Sequence, residues 1–516
     1  MSIVTVANVG QYGVNKDLSS HELPINAWTD CKNIRFLDGF AYQFYGHSEV
    51  YNSPSVVPQF VMQVNIATAK YWIYTSSAKT YAVTNTAGAA VHTDITHATP
   101  RTGVVNNWTG TLLSGIPILN AGDTSVPMRW NLSLGAKFVD LDNWQAGYSC
   151  KSIRAFKNFL IALNVTISGT NYPYMVKWSH PADPGTVPSS WDQTDTTKDA
   201  GQVDIADGVD AIVDGLPLRG SFMIYKEASA WRMDYIGGVQ VFSFTKLVGT
   251  NGALNRNCIV EVDGYHLVLG ASDVILHDGQ TPTSILDKQT RRYLYQSIDV
   301  NNSNLCFVFK NPFFNEVFIC YPSVGSSVCD KAMVWNYKDK TVSFRDLPSI
   351  NHADYGQVDN TLLSTWASDA DPWAADLTTW DGGDLTPNNA KVLMASNTTK
   401  LYMLDAAATF NGAIPSAYLE RIGLGFGADD SIKTCRGVRL RMTGNVGDTV
   451  QVYLGYSNDP YTAPTYSNAI THTIGTTIAC DGFVSGRYLA VKIASGTAYQ
   501  WRLDSYDFDI VQGGKW

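Results

Sequence analysis

The residues best suited to chemistry lie in one short stretch that combines acids with tryptophans. It contains Asp369, Asp371, Asp376, Asp381 and Asp384, interleaved with Trp366, Trp373 and Trp380. Glycoside hydrolysis needs two carboxyl groups about 5 to 9.5 Å apart, and aromatic rings beside carboxylates are typical of a sugar cleft. A cleft draws its acids from several elements, however, whereas loops collect aspartate because it stabilises turns. We therefore predict a contact loop here, with the three tryptophans as interface anchors.

Other chemical motifs are incomplete. His92 and His97 are five residues apart, whereas a zinc-binding helix places two histidines four apart. The chain has no GxxxxGK[ST] phosphate loop and no GxSxG nucleophile motif. Residues 179–191 are only superficially similar to a sialidase aspartate box, because Ser179 and Asp183 are four apart instead of two. The sequence thus predicts no catalytic, cofactor-binding or metal-binding residue, and no enzyme.

The composition favours a protein with large β surfaces and extensive contacts between subunits. Aromatic residues make up 12% of the 516 residues and charged residues only 16%, and the net charge is −9. This acidic balance argues against a chain-wide attraction to nucleic acid or anionic membranes. No apolar run approaches the roughly 20 residues of a membrane-spanning helix, and no signal peptide is evident. We therefore predict no stable membrane association. The eight cysteines form no CxxC motif, so we predict buried, reduced thiols.

The elements that must position these residues are short strands. Residues 219–249 hold three runs rich in aromatic and β-branched residues, bounded by turn formers such as Gly237-Gly238. Similar clusters recur about every 40 to 50 residues, which is the pattern of propeller blades. We predict an all-β fold with a β-propeller over residues 56–410, with six blades and with seven as the alternative. Residues 355–389 are predicted to form a long loop, and residues 287–298 a short helix with Leu294 and Ile298 on one face.

The two ends of the chain are predicted to differ from the middle. Residues 1–55 read as an N-terminal arm with a short helix over 23–33 and a hairpin at Asp38-Gly39, a dipeptide that favours two positive φ angles. Residues 411–516 have the size and the strand pattern of a β-sandwich, which the arm can join as a platform domain. Two strands over 391–404 are expected to pair with an early strand and so to close the propeller ring. Arg439 and Arg441 are expected on a solvated outer face.

Four segments carry a resemblance to a known family. They are residues 24–46 with NIRFLDGFAYQFYG, residues 176–201, residues 218–238 with LRGSFMIYKEASAWRMDYIGG, and residues 487–514 with RYLAVKIASGTAYQWRLDSYDFDIVQGG. Together they cover about half of the chain. They resemble the tail nozzle or tail hub proteins of short-tailed bacteriophages.

The resemblance implies a structural virion protein of the phage tail, assembled in the host bacterial cytoplasm. It implies a homohexameric ring that conducts double-stranded DNA and docks an adaptor ring, fibres or a needle, without enzymatic activity. Two alternatives remain at this point. The first is a propeller that hydrolyses polysaccharide, and the second is a protein that binds cell-surface polysaccharide through its C-terminal domain.

Overall fold

The computed structural model describes residues 2–66, 69–86, 89–238, 240–247, 252–358, 390–496 and 500–515. The chain is 52% strand and 4% helix, and most of its strands form antiparallel sheets of four. The predicted all-β class is therefore confirmed. Within the described ranges, no helix is long and apolar enough to cross a membrane.

The chain opens with five short strands, and the predicted hairpin is among them. The strands are β1 (Ser2–Ala7), β2 (Asp30–Lys32), β3 (Ile34–Leu37), β4 (Phe40–Gln43) and β5 (His47–Glu49). Asp38 and Gly39 join β3 to β4 with φ angles of 52° and 81°, as a two-residue hairpin turn requires. The hairpin prediction is confirmed.

The predicted helix over residues 23–33 is wrong. The segment consists of turns followed by β2. The carbonyl groups of Leu23 and Pro24 accept hydrogen bonds from the buried Arg421 guanidinium, and Thr29 N–H donates to the Glu420 carbonyl. Tertiary partners thus take the backbone groups that a helix would have used internally.

Five antiparallel sheets of four consecutive strands follow. The first is β6 (Phe60–Ile66), β7 (Ala69–Thr75), β8 (Thr80–Thr86) and β9 (Ala89–Asp94); the second is β10 (Thr109–Leu113), β11 (Ile116–Asn120), β12 (Met128–Arg129) and β13 (Val139–Asp140); the third is β14 (Tyr148–Phe156), β15 (Phe159–Ile167), β16 (Thr170–Trp178) and β17 (Gly201–Asp204). The fourth is β18 (Ile212–Leu218), β19 (Ser221–Lys226), β20 (Ala230–Tyr235) and β21 (Phe242–Lys246); the fifth is β22 (Ile259–Val262), β23 (Tyr265–Leu269), β24 (Val274–His277) and β25 (Pro282–Ser284). Each strand pairs with its neighbours in sequence, so these sheets are meanders.

Helix α1 (Lys288–Ser297) and two 3₁₀ turns (Val300–Leu305 and Pro312–Phe314) surround the start of a larger sheet. The helix confirms the sequence prediction, because Leu294 and Ile298 are both buried. The sheet contains β26 (Phe307–Asn311), β27 (Glu316–Tyr321), β28 (Cys329–Asn336), β29 (Val342–Gln357), β30 (Ala390–Ser396), β31 (Leu401–Leu404) and finally β5.

Strand β29 belongs to both halves of this seven-stranded sheet. Its first part pairs with β28 and its second part with β30, so the sheet consists of two groups of four strands that share β29. Strand β31 pairs with the N-terminal strand β5, which confirms the prediction that residues 391–404 pair with an early strand. Tyr355 to Gln357 lie in β29, so the loop prediction is wrong for these residues; residues 359–389 lie outside the described ranges.

The C-terminal strands form two sheets together with the N-terminal ones. The strands are β32 (Tyr418–Leu424), β33 (Ser431–Thr443), β34 (Thr449–Ser457), β35 (Thr465–Tyr466), β36 (Ile470–Thr473), β37 (Cys480–Gly486), β38 (Tyr488–Ser495) and β39 (Arg502–Lys515). One sheet has the order β3-β4-β39-β33-β37 with β1 on β39, and the other has the order β2-β32-β38-β34-β35 with β36 on β34. Arg439 and Arg441 are exposed, as predicted.

The core is apolar, and it contains all eight cysteines as buried, free thiols, as predicted. The tryptophans that recur near strand ends pack mainly inside: Trp108, Trp130, Trp178 and Trp191 are buried, while Trp144 and Trp231 are half-buried. This matches their interpretation as core aromatics. In β39 and just before it, the apolar residues Trp501, Leu503, Tyr506, Phe508 and Ile510 are all buried.

Candidate functional site: the central cavity and its buried polar groups

The site residues predicted from sequence cannot be placed. Trp366, Trp373, Trp380 and the five aspartates beside them all fall within residues 359–389, outside the described ranges. Their predicted role in an interface stays a prediction. Among the residues that the structure does describe, no group of three or more His, Cys, Asp or Glu side chains is placed to hold a metal ion.

One cavity lies where seven strands meet. It has a volume of about 380 Å³ and is called the central cavity below. Its lining comes from β6, β10, β14, β18, β22, β26 and the second part of β29. These are the first strands of the five four-stranded sheets and of both halves of the seven-stranded sheet, so all seven groups of strands face one space.

Side chains beside the central cavity accept hydrogen bonds from the backbone of neighbouring sheets. Val61 N–H on β6 donates to His352 Nδ1 on β29 (3.4 Å), and Gln63 N–H donates to Asp354 Oδ2 (3.1 Å). The same arrangement recurs between β14 and β10, where the backbone N–H groups of residues 153 and 155 donate to the hydroxyls of Thr109 and Thr111 (3.4 and 3.1 Å). An unpaired buried N–H is costly, so these bonds stabilise the contacts between sheets.

A charged pair continues this pattern from β14 to β18 and β10. The Arg154 guanidinium on β14 donates to both carboxylate oxygens of Asp214 on β18 (3.0 and 2.6 Å) and to the Gly110 carbonyl on β10 (3.1 Å). Asp214 also accepts from Asn257 N–H (3.2 Å), and the Asn257 carbonyl accepts from Val308 N–H on β26 (2.8 Å). Burial acts to raise the pKa of Asp214, but Arg154 outweighs it and holds that pKa below its ordinary value.

Asp354 is the only carboxylate among the described residues that line the central cavity. Burial raises its pKa to about 6, against the hydrogen bonds from Gln63 and Tyr355 N–H. A carboxyl group with such a pKa is what general acid catalysis uses. Glycoside hydrolysis requires a second carboxyl group nearby, however, and the described lining offers none. The contacts therefore favour a structural role for Asp354.

Replacing Asp354 tests this role. Asp354→Ala removes both acceptors and should lower the free energy of unfolding by about 1 to 3 kcal/mol, the usual cost of unpaired buried donors. Asp354→Asn keeps one carbonyl oxygen as an acceptor and should cost clearly less. Urea unfolding at neutral pH measures both values; equal stability of Asp354→Ala and the wild type would show that the bond to Gln63 contributes nothing.

A second buried polar group joins the C-terminal sheets to the seven-stranded sheet. Arg35 on β3 makes a bidentate pair with Glu316 on β27 (2.6 and 3.0 Å) and a third bond to Asp405 (2.8 Å). Asp405 follows β31 and also accepts from Arg345 on β29 (3.1 Å). These four residues, called the Arg35–Asp405 cluster below, have side chains no more than 2% exposed.

The Arg35–Asp405 cluster combines two guanidinium groups with two carboxyl groups. Phe314 and Phe44 lie against the guanidinium of Arg35, at 3.5 and 4.7 Å from their ring centres, which adds cation–π stabilisation. Burial raises the pKa of Glu316 to about 7, against the opposing effects of Arg35 and Arg345. Asp405 faces both arginines, and they outweigh burial and lower its pKa. Such a cluster holds its partners in place and offers no reactive group to solvent.

A third buried network runs between the fourth and fifth sheets. His266 Nε2 lies 2.9 Å from the Pro217 carbonyl, so this nitrogen carries the proton and Nδ1 accepts from the Tyr225 hydroxyl (2.7 Å). His277 Nδ1 accepts from Gly279 N–H (3.1 Å), so Nε2 carries the proton and donates to Tyr225 (2.6 Å). Each ring nitrogen of the two histidines thus has one hydrogen-bond partner, and the Tyr225 hydroxyl donates one hydrogen bond and accepts one. Burial lowers the pKa of each histidine to about 4, so both are neutral at physiological pH.

Comparison with known proteins gives no family. No protein-family model matches the chain, and no curated protein matches it. PorZ, an essential surface component of the type-IX secretion system of Porphyromonas gingivalis, shares 9% identity at a TM-score of 0.39, covering 78% of this chain and 45% of the PorZ chain. A fungal alcohol oxidase of the AA5 family, solved with copper, shares 10% identity at a TM-score of 0.39, covering 89% of this chain and 92% of its own. The chain thus spans less than half of the PorZ chain, and likenesses at this level carry no argument about function.

Proposed function

We propose that this protein is a structural component of the tail of a short-tailed bacteriophage. It forms a ring-shaped nozzle or hub of six copies that conducts DNA and docks an adaptor ring, fibres or a needle. The observation that supports a structural role is the use of the buried polar groups. Those around the central cavity and in the Arg35–Asp405 cluster are occupied in joining one sheet to another, as rigidity under load requires. The resemblance of residues 24–46, 176–201, 218–238 and 487–514 to tail proteins supplies the specific assignment.

We further infer that the middle of the chain is a seven-bladed propeller. Seven groups of four strands have their first strands around one cavity. The seven-stranded sheet contributes two blades through β29, and the N-terminal strand β5 completes the last one. A last blade that combines strands from both ends of the propeller leaves no gap in the ring, which supports seven blades over six.

In this proposal DNA does not pass through the central cavity. About 380 Å³ holds roughly a dozen water molecules at about 30 Å³ each, far less than a duplex needs. The conduit is therefore the opening that several copies enclose. Native mass spectrometry of the purified protein tests this assembly; six copies support the proposal, and a chain that stays monomeric at all concentrations opposes it.

The proposed conduit also predicts weak DNA binding. A wall rich in Lys and Arg would hold phosphates and release counterions, whereas a neutral or acidic wall lets the duplex move. The chain has 46 acidic against 37 basic residues. We expect duplex DNA to bind with a Kd no tighter than about 10⁻⁴ to 10⁻⁶ M at physiological salt, the non-specific range. Fluorescence anisotropy measures it, and nanomolar binding that is lost in high salt would contradict the conduit account.

Among the residues that the structure describes, an enzymatic alternative rests on Asp354, whose pKa of about 6 suits a general acid. It predicts that the protein releases reducing sugar from host polysaccharide and that Asp354→Asn, which keeps a backbone hydrogen bond, abolishes the release. The structural proposal predicts no release by either protein. The polysaccharide-binding alternative predicts that the same host polysaccharide binds without being cleaved.

A further inference from the structure

One side of the central cavity is sealed and another is open to solvent. On the sealed side Asn257 is only 8% exposed, and its side-chain amide accepts from Arg154 (3.1 Å) and donates to Asn106 (3.2 Å). Lining residues near the ends of their strands are more exposed: Leu112 on β10 is 36% exposed, and the side chain of Lys310 on β26 is 37% exposed. A small molecule can therefore enter the cavity beside these two residues.

The size and the lining of the cavity suit a small organic ligand. Its volume of about 380 Å³ falls within the roughly 300 to 1,000 Å³ that is usual for ligand pockets. More than half of the lining residues are apolar, and aromatic rings come from three strands, with Phe60 on β6, Phe309 on β26 and Tyr355 on β29. Because the face of an aromatic ring attracts cations, these rings favour a ligand that combines apolar surface with positive charge.

The charged side chains of the lining leave one carboxylate without a counter-ion. Arg154 is paired with Asp214, and Lys310 is paired with Glu261. Asp354 lines the same cavity, and within the described ranges it has no ion-pair partner. The two cations are thus already neutralised, whereas the ionised carboxylate of Asp354 gives the cavity a net negative charge.

The carboxylate of Asp354 also has acceptor sites left for a ligand. Its two oxygens accept one hydrogen bond each, from the backbone N–H groups of Gln63 (3.1 Å) and Tyr355 (2.9 Å). An ionised carboxylate offers about four lone-pair sites, so these bonds leave about half of them free. A charge at a half-buried position is costly unless it is paired, and a cationic ligand would supply the missing partner.

We propose that the central cavity binds a small organic ammonium ion, with Asp354 as its anionic partner and the rings of Phe60, Phe309 and Tyr355 as its apolar contacts. This site goes beyond the proposed function and does not depend on it. The proposed conduit lies between copies of the chain and not in this cavity. Rings can therefore form whether or not the cavity is occupied, and a chain that forms no ring can still bind the ion.

Three probes of similar shape and different charge test the proposal by ligand-observed NMR. Choline carries a permanent positive charge, the alcohol in which carbon replaces the nitrogen of choline is neutral, and tert-butylacetate is an anion. We expect choline to bind at least about tenfold more tightly than the other two, because opposite charges attract strongly in a half-buried site. Equal binding of choline and the alcohol, tighter binding of tert-butylacetate, or no binding of choline at millimolar concentration would overturn the proposal.

Charge variants show whether Asp354 is the partner of choline. Asp354→Asn keeps an acceptor for the backbone and should weaken choline binding at least about tenfold, because it removes the opposite charge. Asp430→Asn, which removes a carboxylate that is 67% exposed next to β33, is the matched control and should leave binding unchanged. Lys310→Met removes a like charge from the lining and should bind choline at least as tightly as the wild type. Circular dichroism checks that each variant is folded. Unchanged binding by Asp354→Asn, or weaker binding by Lys310→Met, would contradict the proposed site.

The pH dependence of choline binding tests the wild type without any substitution. Burial raises the pKa of Asp354 to about 6, so the affinity for choline should fall about fourfold between about pH 7.5 and 5.5 as the carboxylate is protonated. Burial lowers the pKa of His352 to about 3, whereas a backbone hydrogen bond and Lys310 outweigh burial and hold the pKa of Glu261 below its ordinary value. Neither group titrates in this range, and the side chains of Arg154 and Lys310 stay charged. Circular dichroism checks that the protein is folded at each pH. A constant affinity would show that Asp354 does not hold the ammonium ion.

Discussion

Replacing Asp405 by alanine should lower the free energy of unfolding by about 3 to 5 kcal/mol, the usual effect of breaking a buried ion pair. Asp405 accepts from Arg35 and from Arg345, and the three side chains are no more than 2% exposed. Without it, two buried guanidinium groups share the single carboxylate of Glu316. Because Arg35 belongs to the C-terminal sheets and Arg345 to the seven-stranded sheet, the loss weakens the contact between the two.

Urea unfolding measures this effect, and two further variants control it. Asp430→Ala removes a carboxylate from an exposed pair with Lys515 and should cost less than about 1 kcal/mol. The double variant Asp405→Ala with Arg345→Met removes one charge of each sign, and it should recover part of the stability that Asp405→Ala loses. Similar losses for Asp405→Ala and Asp430→Ala would mean that the Arg35–Asp405 cluster does not hold the sheets together.

Mild acid should destabilise the protein through its buried histidines. Burial lowers the pKa of His266 and His277 to about 4, and that of His47 and His352 to about 3. Below the unfolded pKa of about 6.5, the unfolded chain binds protons that the folded chain does not, so stability is lost as the pH falls from about 6.5 towards 4. Near pH 5.5 each histidine contributes about 0.9 proton, or about 1.2 kcal/mol for each pH unit.

The carboxyl groups of Asp354 and Glu316 act in the opposite direction. Their folded pKa values are raised, to about 6 and about 7, so the folded protein binds their protons first and gains stability as the pH falls. A comparison of variants isolates the histidines from this effect. His277→Gln keeps an N–H donor for Tyr225 and should reduce the slope of unfolding free energy against pH by about 1.2 kcal/mol for each pH unit near pH 5.5.

Tyr225→Phe is the matched control for His277→Gln. It removes the hydroxyl between the two histidines, leaves both rings in place, and should cost about 1 to 3 kcal/mol at pH 7.5 with little change in slope. Urea unfolding at several values between pH 5 and 7.5 measures slope and stability together. An unchanged slope for His277→Gln would show that His277 is protonated in the folded protein at these pH values.

Local signals made part of this fold predictable. The hairpin at Asp38-Gly39 needs only two residues that accept positive φ angles, and α1 shows its apolar face within ten residues. The alternation in β39 identifies its buried side, because one face of that strand packs against the opposite sheet. The strands over 391–404 were expected to pair with an early strand because an unpaired edge would otherwise be exposed, and β31 pairs with β5.

Long-range contacts account for what the sequence did not indicate. Arg35 lies 281 residues before Glu316 and 370 before Asp405, and no spacing rule connects them. Tyr225 and its two histidines lie in separate strand clusters, where each has the look of an ordinary strand residue. The sequence also does not show that β29 belongs to two groups of strands. Its residues form one continuous strand, and no sequence signal indicates where pairing with β28 ends and pairing with β30 begins. The helix predicted over residues 23–33 failed because Arg421, about 400 residues later, takes its carbonyl groups.

Electron microscopy of the purified, negatively stained protein, sorted into end-on class averages, tests the proposed ring most directly. We predict rings of six subunits around an axial opening wide enough for a DNA duplex, with each subunit showing a disc for the middle of the chain. Particles of the size of one chain or of one pair, with no ring at any protein concentration, would contradict the proposal that this chain forms a tail conduit.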